Sequence, residues 1–354
     1  MFTREPGTVK LRRMAQSTPT VGVLGGGSWG TAIAHLCRLN GQRTLLWLRD
    51  QAVSEAIRKD SCNPRYLPDF KLAEGIETTD DLAEVASRCE LIFVVVPTKV
   101  LREVARALGD SLRADHILVT CSKGLEPGSA KRMTEILREE TCCLRVGALS
   151  GPNLAAEILK GDPSATVVAS RYDEVIARAT GVLMGPRFRV YGNRDVLGVE
   201  LGGALKNVIA IAAGVSSGLG FGDNTKALLI TRGLAEIRRL GVRLGADPMT
   251  FAGLAGVGDL MVTCASALSR NHQVGFRLAQ GQSLGEIRDA MRQVAEGVNT
   301  ATVAKALGER YDVPMHITGA VHGLLNDGRK PGEVLSGLMA LEAMYEIDRA
   351  VTPQ

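Results

Sequence analysis

The amino-acid sequence predicts an α/β domain built on a doubly wound parallel sheet, followed by an all-α domain. Three observations predict it. From Val21 to about Asn193, short β-branched runs alternate with helical stretches. After about Val196 those runs disappear, and helical segments separated by Gly and Pro continue to the end. The 354 residues also exceed the size at which one hydrophobic core usually stops growing. The expected division is a disordered extension over 1–20, the sheet domain over 21–193 and the helical domain over 194–354.

The candidate strands are 21–24, 44–48, 91–96, 117–120, 145–148, 166–169 and 189–191. The first runs into Gly25-Gly26-Gly27-Ser28-Trp29-Gly30 and then an alanine-rich helical start. This is the layout of a Rossmann-type dinucleotide phosphate site. Gly25 suits the tight turn, Gly27 leaves room for a pyrophosphate, and Gly30 lets the helix lie close to the strand; the helix N-terminus then offers free N–H groups to the anion. Forty glycines produce chance matches, so the flanking strand and helix carry the signal. The second strand ends at Arg49-Asp50, about twenty residues beyond Gly30, where an acidic group is expected to face the ribose. Arg49 suits the 2′-phosphate of NADP and Asp50 the 2′-hydroxyl of NAD, which leaves NADP and NAD both open. The run 91–96 is apolar at every position, as a strand covered on both faces should be, and Pro97 stops it. Ligands in such sheets sit beyond the carboxyl ends of the strands, so Pro97-Thr98, Ser122-Lys123-Gly124 and Ser150-Gly151-Pro152-Asn153 are candidate lining residues.

The helical segments expected in the second half are 196–216, 225–244, 248–254, 269–280, 283–290, 297–309, 314–325 and 330–340. In the first of them Lys206 is the single lysine among small and apolar residues. Buried there, its ammonium loses hydration and its pKa falls toward the range of proton transfer near neutrality; otherwise it reaches to the surface. Asn207 fits either a polar substrate group or a buried backbone turn. Lys123 follows a strand, where it meets a ligand or stands in a solvated loop. Asp259 lies in the turn-like Gly256-Val257-Gly258-Asp259-Leu260, a common place for a helix cap. Ser269-Arg270-Asn271 brings hydroxyl, guanidinium and amide together for phosphate oxygens, and equally reads as a capped helix start.

Composition narrows the function class. With 45% hydrophobic and 23% charged residues and a net charge of +4, nothing suggests nucleic acid or an anionic membrane as a partner. Seven cysteines lack metal-site spacing and fit a reducing, cytoplasmic setting better than a disulfide framework. The longest low-charge stretch, 207–222, is shorter than the roughly 18 to 20 residues of a membrane span. The first twenty residues lack the apolar centre of a secretory signal. Five histidines show no paired-ligand spacing, so no metal is expected, and neither a G-x-S-x-G elbow nor a P-loop is present.

Taken together, the motifs resemble the NAD(P)-dependent glycerol-3-phosphate dehydrogenases of the bacterial type over about 21–338. The resemblance rests on the glycine turn, Asn63-Pro64-Arg65-Tyr66-Leu67-Pro68, Ser122-Lys123-Gly124-Leu125-Glu126, Ser150-Gly151-Pro152, Glu200-Leu201-Gly202-Gly203-Ala204-Leu205-Lys206-Asn207, Gly222-Asp223-Asn224-Thr225-Lys226-Ala227, Gly256-Val257-Gly258-Asp259 and Ser269-Arg270-Asn271, in that order. It implies reversible reduction of dihydroxyacetone phosphate to sn-glycerol 3-phosphate with NAD(P)H, as a supply for phospholipid synthesis. By the same resemblance Lys206 is the proton donor, Lys123 assists, and Asp259 balances Lys206. Gly151, Asn207, Thr263, Ser269, Arg270 and Asn271 join Lys123 in binding substrate. Ser28, Trp29, Arg49, Lys123, Ala155, Arg270, Val294 and Glu296 join the glycines in contacting the dinucleotide, and a homodimer is the assembly allowed. The chain departs from the pattern at Asn153-Leu154, at 265–268 and at His272. A related 3-hydroxyacid or 6-phosphogluconate type of dehydrogenase, or a non-catalytic dinucleotide sensor, is the alternative.

Overall fold

In the computed structural model, residues 20–291 and 295–340 are described. The expected extension, apart from Thr20, and Val294 lie outside them. Among the described residues ten strands form in chain order: β1 (Thr20–Leu24), β2 (Arg43–Trp47), β3 (Cys62–Asn63), β4 (Leu67–Lys71), β5 (Ile76–Thr79), β6 (Cys89–Val94), β7 (Ile117–Thr120), β8 (Val146–Ser150), β9 (Ser164–Ser170) and β10 (Phe188–Asn193). Eight of them make one sheet in the order β10-β9-β8-β7-β6-β1-β2-β5, and β3 and β4 make a separate antiparallel ribbon.

The strand order reverses between β1 and β6, which pair in parallel. That is the point where a crevice opens at the carboxyl ends of the strands. All five residues of β1 are buried, and Leu91 to Val94 of β6 are buried too, because helices cover both faces of the sheet. Two features differ from the sequence expectation. β9 runs antiparallel to β8, and β10 runs parallel to β9, so the last two strands oppose the other six. The short link through the Ala155–Lys160 helix turns the chain back beside β8 without the long crossover that a parallel neighbour needs. The unexpected β5 is a four-residue edge strand of sequence IETT, too short and polar to stand out, and Pro68 interrupts the pattern of β4.

The second half is helical. Its centre is the Val196–Gly218 helix, buried at every position from Gly198 to Ser216. It is long and apolar enough to cross a membrane, yet 89% of its most apolar window is buried within the protein, against helices on several sides. The low-charge stretch read from the sequence begins only at Asn207, because Glu200 and Lys206 interrupt the helix before it. Residues 254–265, expected as a helix end followed by a turn, form instead a π-helical turn, Leu254–Gly258, that runs into the Asp259–Ala265 helix.

Small residues let the Arg270–Ala279 helix cross the central helix at close range. A β-carbon on Gly275 would lie 1.9 Å from the Ile211 carbonyl oxygen, backbone that cannot yield. Gly275→Ala is therefore expected to destabilise the fold by about 1–3 kcal/mol through overpacking, read as a lowered midpoint in denaturant; an unchanged midpoint would show that the two helices separate freely.

Candidate active site

The phosphate turn follows β1. Gly25 adopts φ +124°, a conformation that side chains avoid, and a β-carbon there would meet the Val95 carbonyl oxygen at 2.4 Å. A β-carbon on Gly30 would lie 1.8 Å from the Gly25 carbonyl oxygen, whereas nothing stands within 4 Å of one on Gly27. Gly27 precedes the Ser28–Leu39 helix without a side-chain cap, so the first N–H groups face open space. Trp29 Nε1 is buried with no hydrogen-bond partner. An open turn, uncapped donors and an orphaned indole N–H fit the pyrophosphate of a dinucleotide.

The β3–β4 ribbon closes over this turn, a role that sequence reading missed. Asn63 is wholly buried and donates to the Gly26 carbonyl at 3.0 Å and to Thr31 Oγ1 at 2.8 Å, while accepting from the Tyr66 N–H at 3.2 Å. Ser28 Oγ donates to the Tyr66 carbonyl at 3.5 Å. Arg49 is exposed at the end of β2. Asp50 caps the Gln51–Asp60 helix by accepting from Val53 N–H at 3.2 Å, and its other oxygen pairs with Arg65 at 2.8 Å.

The chemistry-bearing cluster forms where the sheet edge meets the central helix. Lys206 is 6% exposed and Asp259 is 1% exposed. Lys206 donates to Asp259 Oδ1 and, at 2.6 Å, to Thr263 Oγ1, which in turn donates to the Asp259 carbonyl at 2.6 Å. Lys123, reaching from the loop after β7, donates to Asp259 Oδ2 at 2.8 Å and to the Gly151 carbonyl at 2.7 Å. One carboxylate thus bridges two ammonium groups. Burial, with Lys123 adding repulsion, outweighs the attraction of Asp259 and lowers the pKa of Lys206 to about 8. The surface and cap alternatives for Lys206 and Asp259 are not realised, since both side chains point into this cluster.

Asn207 Oδ1 accepts from Asn271 Nδ2 at 2.9 Å, and Asn271 Oδ1 accepts from Gly297 N–H at 2.9 Å, linking three helices beside Lys206. Ser269 Oγ accepts from His272 N–H at 3.3 Å and caps the helix that Arg270 opens. Arg270 is exposed and its pKa is drawn down by desolvation, opposed by the nearby Glu296 carboxylate. Glu296 also accepts from Thr98, from its N–H at 3.2 Å and from its hydroxyl, and so joins the helical half to the end of β6. Ala155 opens the helix after Gly151 and Asn153. Asn153 Nδ2 donates to Thr166 Oγ1 at 3.0 Å.

This arrangement, an open phosphate turn beside two lysines that share a buried carboxylate, defines a dinucleotide-dependent oxidoreductase. The N- and C-terminal family profiles described as NAD-dependent glycerol-3-phosphate dehydrogenase match residues 20–176 and 195–336. A glycerol-3-phosphate dehydrogenase [NAD(P)+] of Ectopseudomonas mendocina is 48% identical over 93% of this chain and 96% of its own length. The one from Pseudomonas aeruginosa (strain LESB58) is 48% identical over 95% and 98%. The crystal structure of glycerol-3-phosphate dehydrogenase from Coxiella burnetii is similar with a TM-score of 0.87 at 34% identity, covering 92% of this chain and 99% of that one. The chain belongs to the NAD-dependent glycerol-3-phosphate dehydrogenase family, a family of oxidoreductases using NAD(P).

Because Asp259 is the counter-ion of both lysines, Asp259→Asn is expected to cut turnover roughly 100-fold or more by driving Lys206 toward its neutral form. Steady-state assay with dihydroxyacetone phosphate checks this, and turnover within a few-fold of wild type would contradict the shared-carboxylate reading.

Proposed function

We propose that this chain reduces dihydroxyacetone phosphate reversibly to sn-glycerol 3-phosphate, the precursor for phospholipid synthesis, with Lys206 as the proton donor. The observation that carries the assignment is the Lys206–Asp259–Lys123 bridge, buried between sheet edge and helix. A reduced nicotinamide, when bound, supplies a hydride to the ketone carbon C2. As the C2–O double bond becomes single, charge grows on the oxygen; Lys206 delivers a proton to that oxygen, and Lys123 stabilises it by its own charge. Asp259 keeps both ammonium groups aligned, and Thr263 fixes the Lys206 side chain. In the reverse direction neutral Lys206 takes the proton from the C2 hydroxyl.

Arg270 and Asn271, with Ser269, Asn207 and Gly151, hold the substrate phosphate and hydroxyls in this reading; a hydroxyl, a guanidinium and an amide side by side at a helix start beside Lys206 support it. In the same reading Gly25, Gly27, Ser28, Trp29, Gly30, Arg49, Lys123, Ala155, Arg270 and Glu296 contact the dinucleotide. We assign residues 21–193 to its binding and 194–354 to the substrate. Exposed apolar side chains including Met249, Leu268 and Phe221 support a homodimer, and seven unpaired cysteines support a cytoplasmic setting.

Lys206→Ala is expected to lower kcat by roughly 10²–10⁴ with dinucleotide affinity retained. Since the acid must carry its proton, ketone reduction by the wild type should decline as pH rises through about 8, while alcohol oxidation should increase over the same range. A reduction rate flat from pH 7 to 10 would remove Lys206 from the proton-donor role.

Arg270→Ala should raise KM for dihydroxyacetone phosphate sharply, and Arg270→Lys should restore only part, because an ammonium lacks the bidentate fork. Unchanged KM in both variants would place the phosphate elsewhere.

A further inference from the structure

We propose that Arg65 is a cofactor-specificity residue, which cancels the charge of Asp50 and joins Arg49 in a two-guanidinium clamp for a 2′-phosphate, so that the site takes NADPH in preference to NADH. The inference rests on the reading of the turn after β1 as the dinucleotide site. An acidic side chain at the end of the second strand ordinarily accepts from the ribose 2′-hydroxyl and repels a 2′-phosphate. Asp50 occupies that position, but both of its oxygens are engaged. Oδ1 accepts from Val53 N–H at 3.2 Å, and Oδ2 accepts from Arg65 at 2.8 Å. Hydrogen bonding to Arg65, followed by that to Val53, holds its carboxyl below the ordinary range, so it is ionised and paired across neutral pH.

The pair leaves no net charge, and Arg49 beside it adds one positive charge. A guanidinium carries five N–H donors, and the bond to Asp50 uses one of them, Nη1. The Arg65 side chain is 54% exposed, so its remaining donors are open to a ligand. Its backbone is fixed as well. Arg65 sits between Asn63 and Tyr66, which bind the phosphate turn itself, so the guanidinium is carried by an element that is bolted to the turn and not by a free loop.

Titration of the purified full-length protein with NADPH, NADH, adenosine 2′,5′-bisphosphate and adenosine 5′-monophosphate tests the proposal. Wild type should bind NADPH more tightly than NADH, and the bisphosphate more tightly than the monophosphate. Arg65→Ala should weaken NADPH and the bisphosphate by about tenfold or more, the size of a lost charge-assisted contact, with NADH changed less than about twofold. Adding Asp50→Asn to Arg65→Ala should recover part of the NADPH loss, because the repelling carboxylate is gone. Equal losses for NADPH and NADH would make Arg65 a structural brace of the ribbon and overturn the proposal. No loss for either, or a wild type that prefers NADH, would overturn it too. A wild type that binds neither dinucleotide would instead overturn the reading of the turn.

Discussion

The carboxylate of Asp259, shared by Lys206 and Lys123, is the interaction on which the rest of the site depends. Two ammonium groups brought together out of water repel each other and lose hydration, and an aspartate between them offsets part of both costs. Asp259 is 1% exposed, so water does little to screen the attraction or the repulsion. The result is an imbalance with a use. One negative and two positive charges leave a net positive site, which favours negative charge growing on a substrate oxygen. Burial, with repulsion from Lys123 added and the attraction of Asp259 opposing, depresses the pKa of Lys206 to about 8, which makes its proton transferable near neutral pH.

Because the two lysines come from different halves of the chain, the bridge also requires those halves to be held in register. Two buried or half-buried carboxylates do this. Glu200, on the central helix six residues before Lys206, accepts from Arg132 at 2.9 Å, from Thr134 N–H at 2.9 Å and from Thr134 Oγ1 at 2.6 Å, so it caps the Met133–Glu140 helix of the sheet half. Glu296 binds Thr98 at the end of β6. Burial pushes the Glu200 carboxyl up, with Arg132 and Thr134 opposing that push. These contacts fix the position of the helix along the sheet edge, and with it the distance from Lys206 to the loop that carries Lys123.

Much of this was legible in the sequence, for identifiable reasons. The strand–glycine turn–helix pattern and the all-apolar run of β6 are local signals, and the structure places both where the pattern expects them. Lys206 was conspicuous because a lone lysine in a helix of small and apolar residues has few roles. Pairings between distant residues leave no local trace. Read from its own segment, Asp259 is a turn residue beside two glycines; the family resemblance set it against Lys206, and the fold adds Lys123 on its other oxygen. Asn63 carries no periodicity that marks it as buried, and the Asp50–Arg65 pair joins residues whose separation follows from an unexpected ribbon. The reversal of β9 was invisible because a strand's sequence records its burial and not its direction.

The most direct measurement of the central claim is titration of the lysine Nζ groups by ¹⁵N NMR, with the Lys206 resonance assigned by its loss in Lys206→Arg. The account predicts that Lys206 titrates near 8 in the wild type and lower still in Asp259→Asn, where its counter-ion is gone. A Lys206 that titrates near the ordinary 10.5 in both proteins would contradict it.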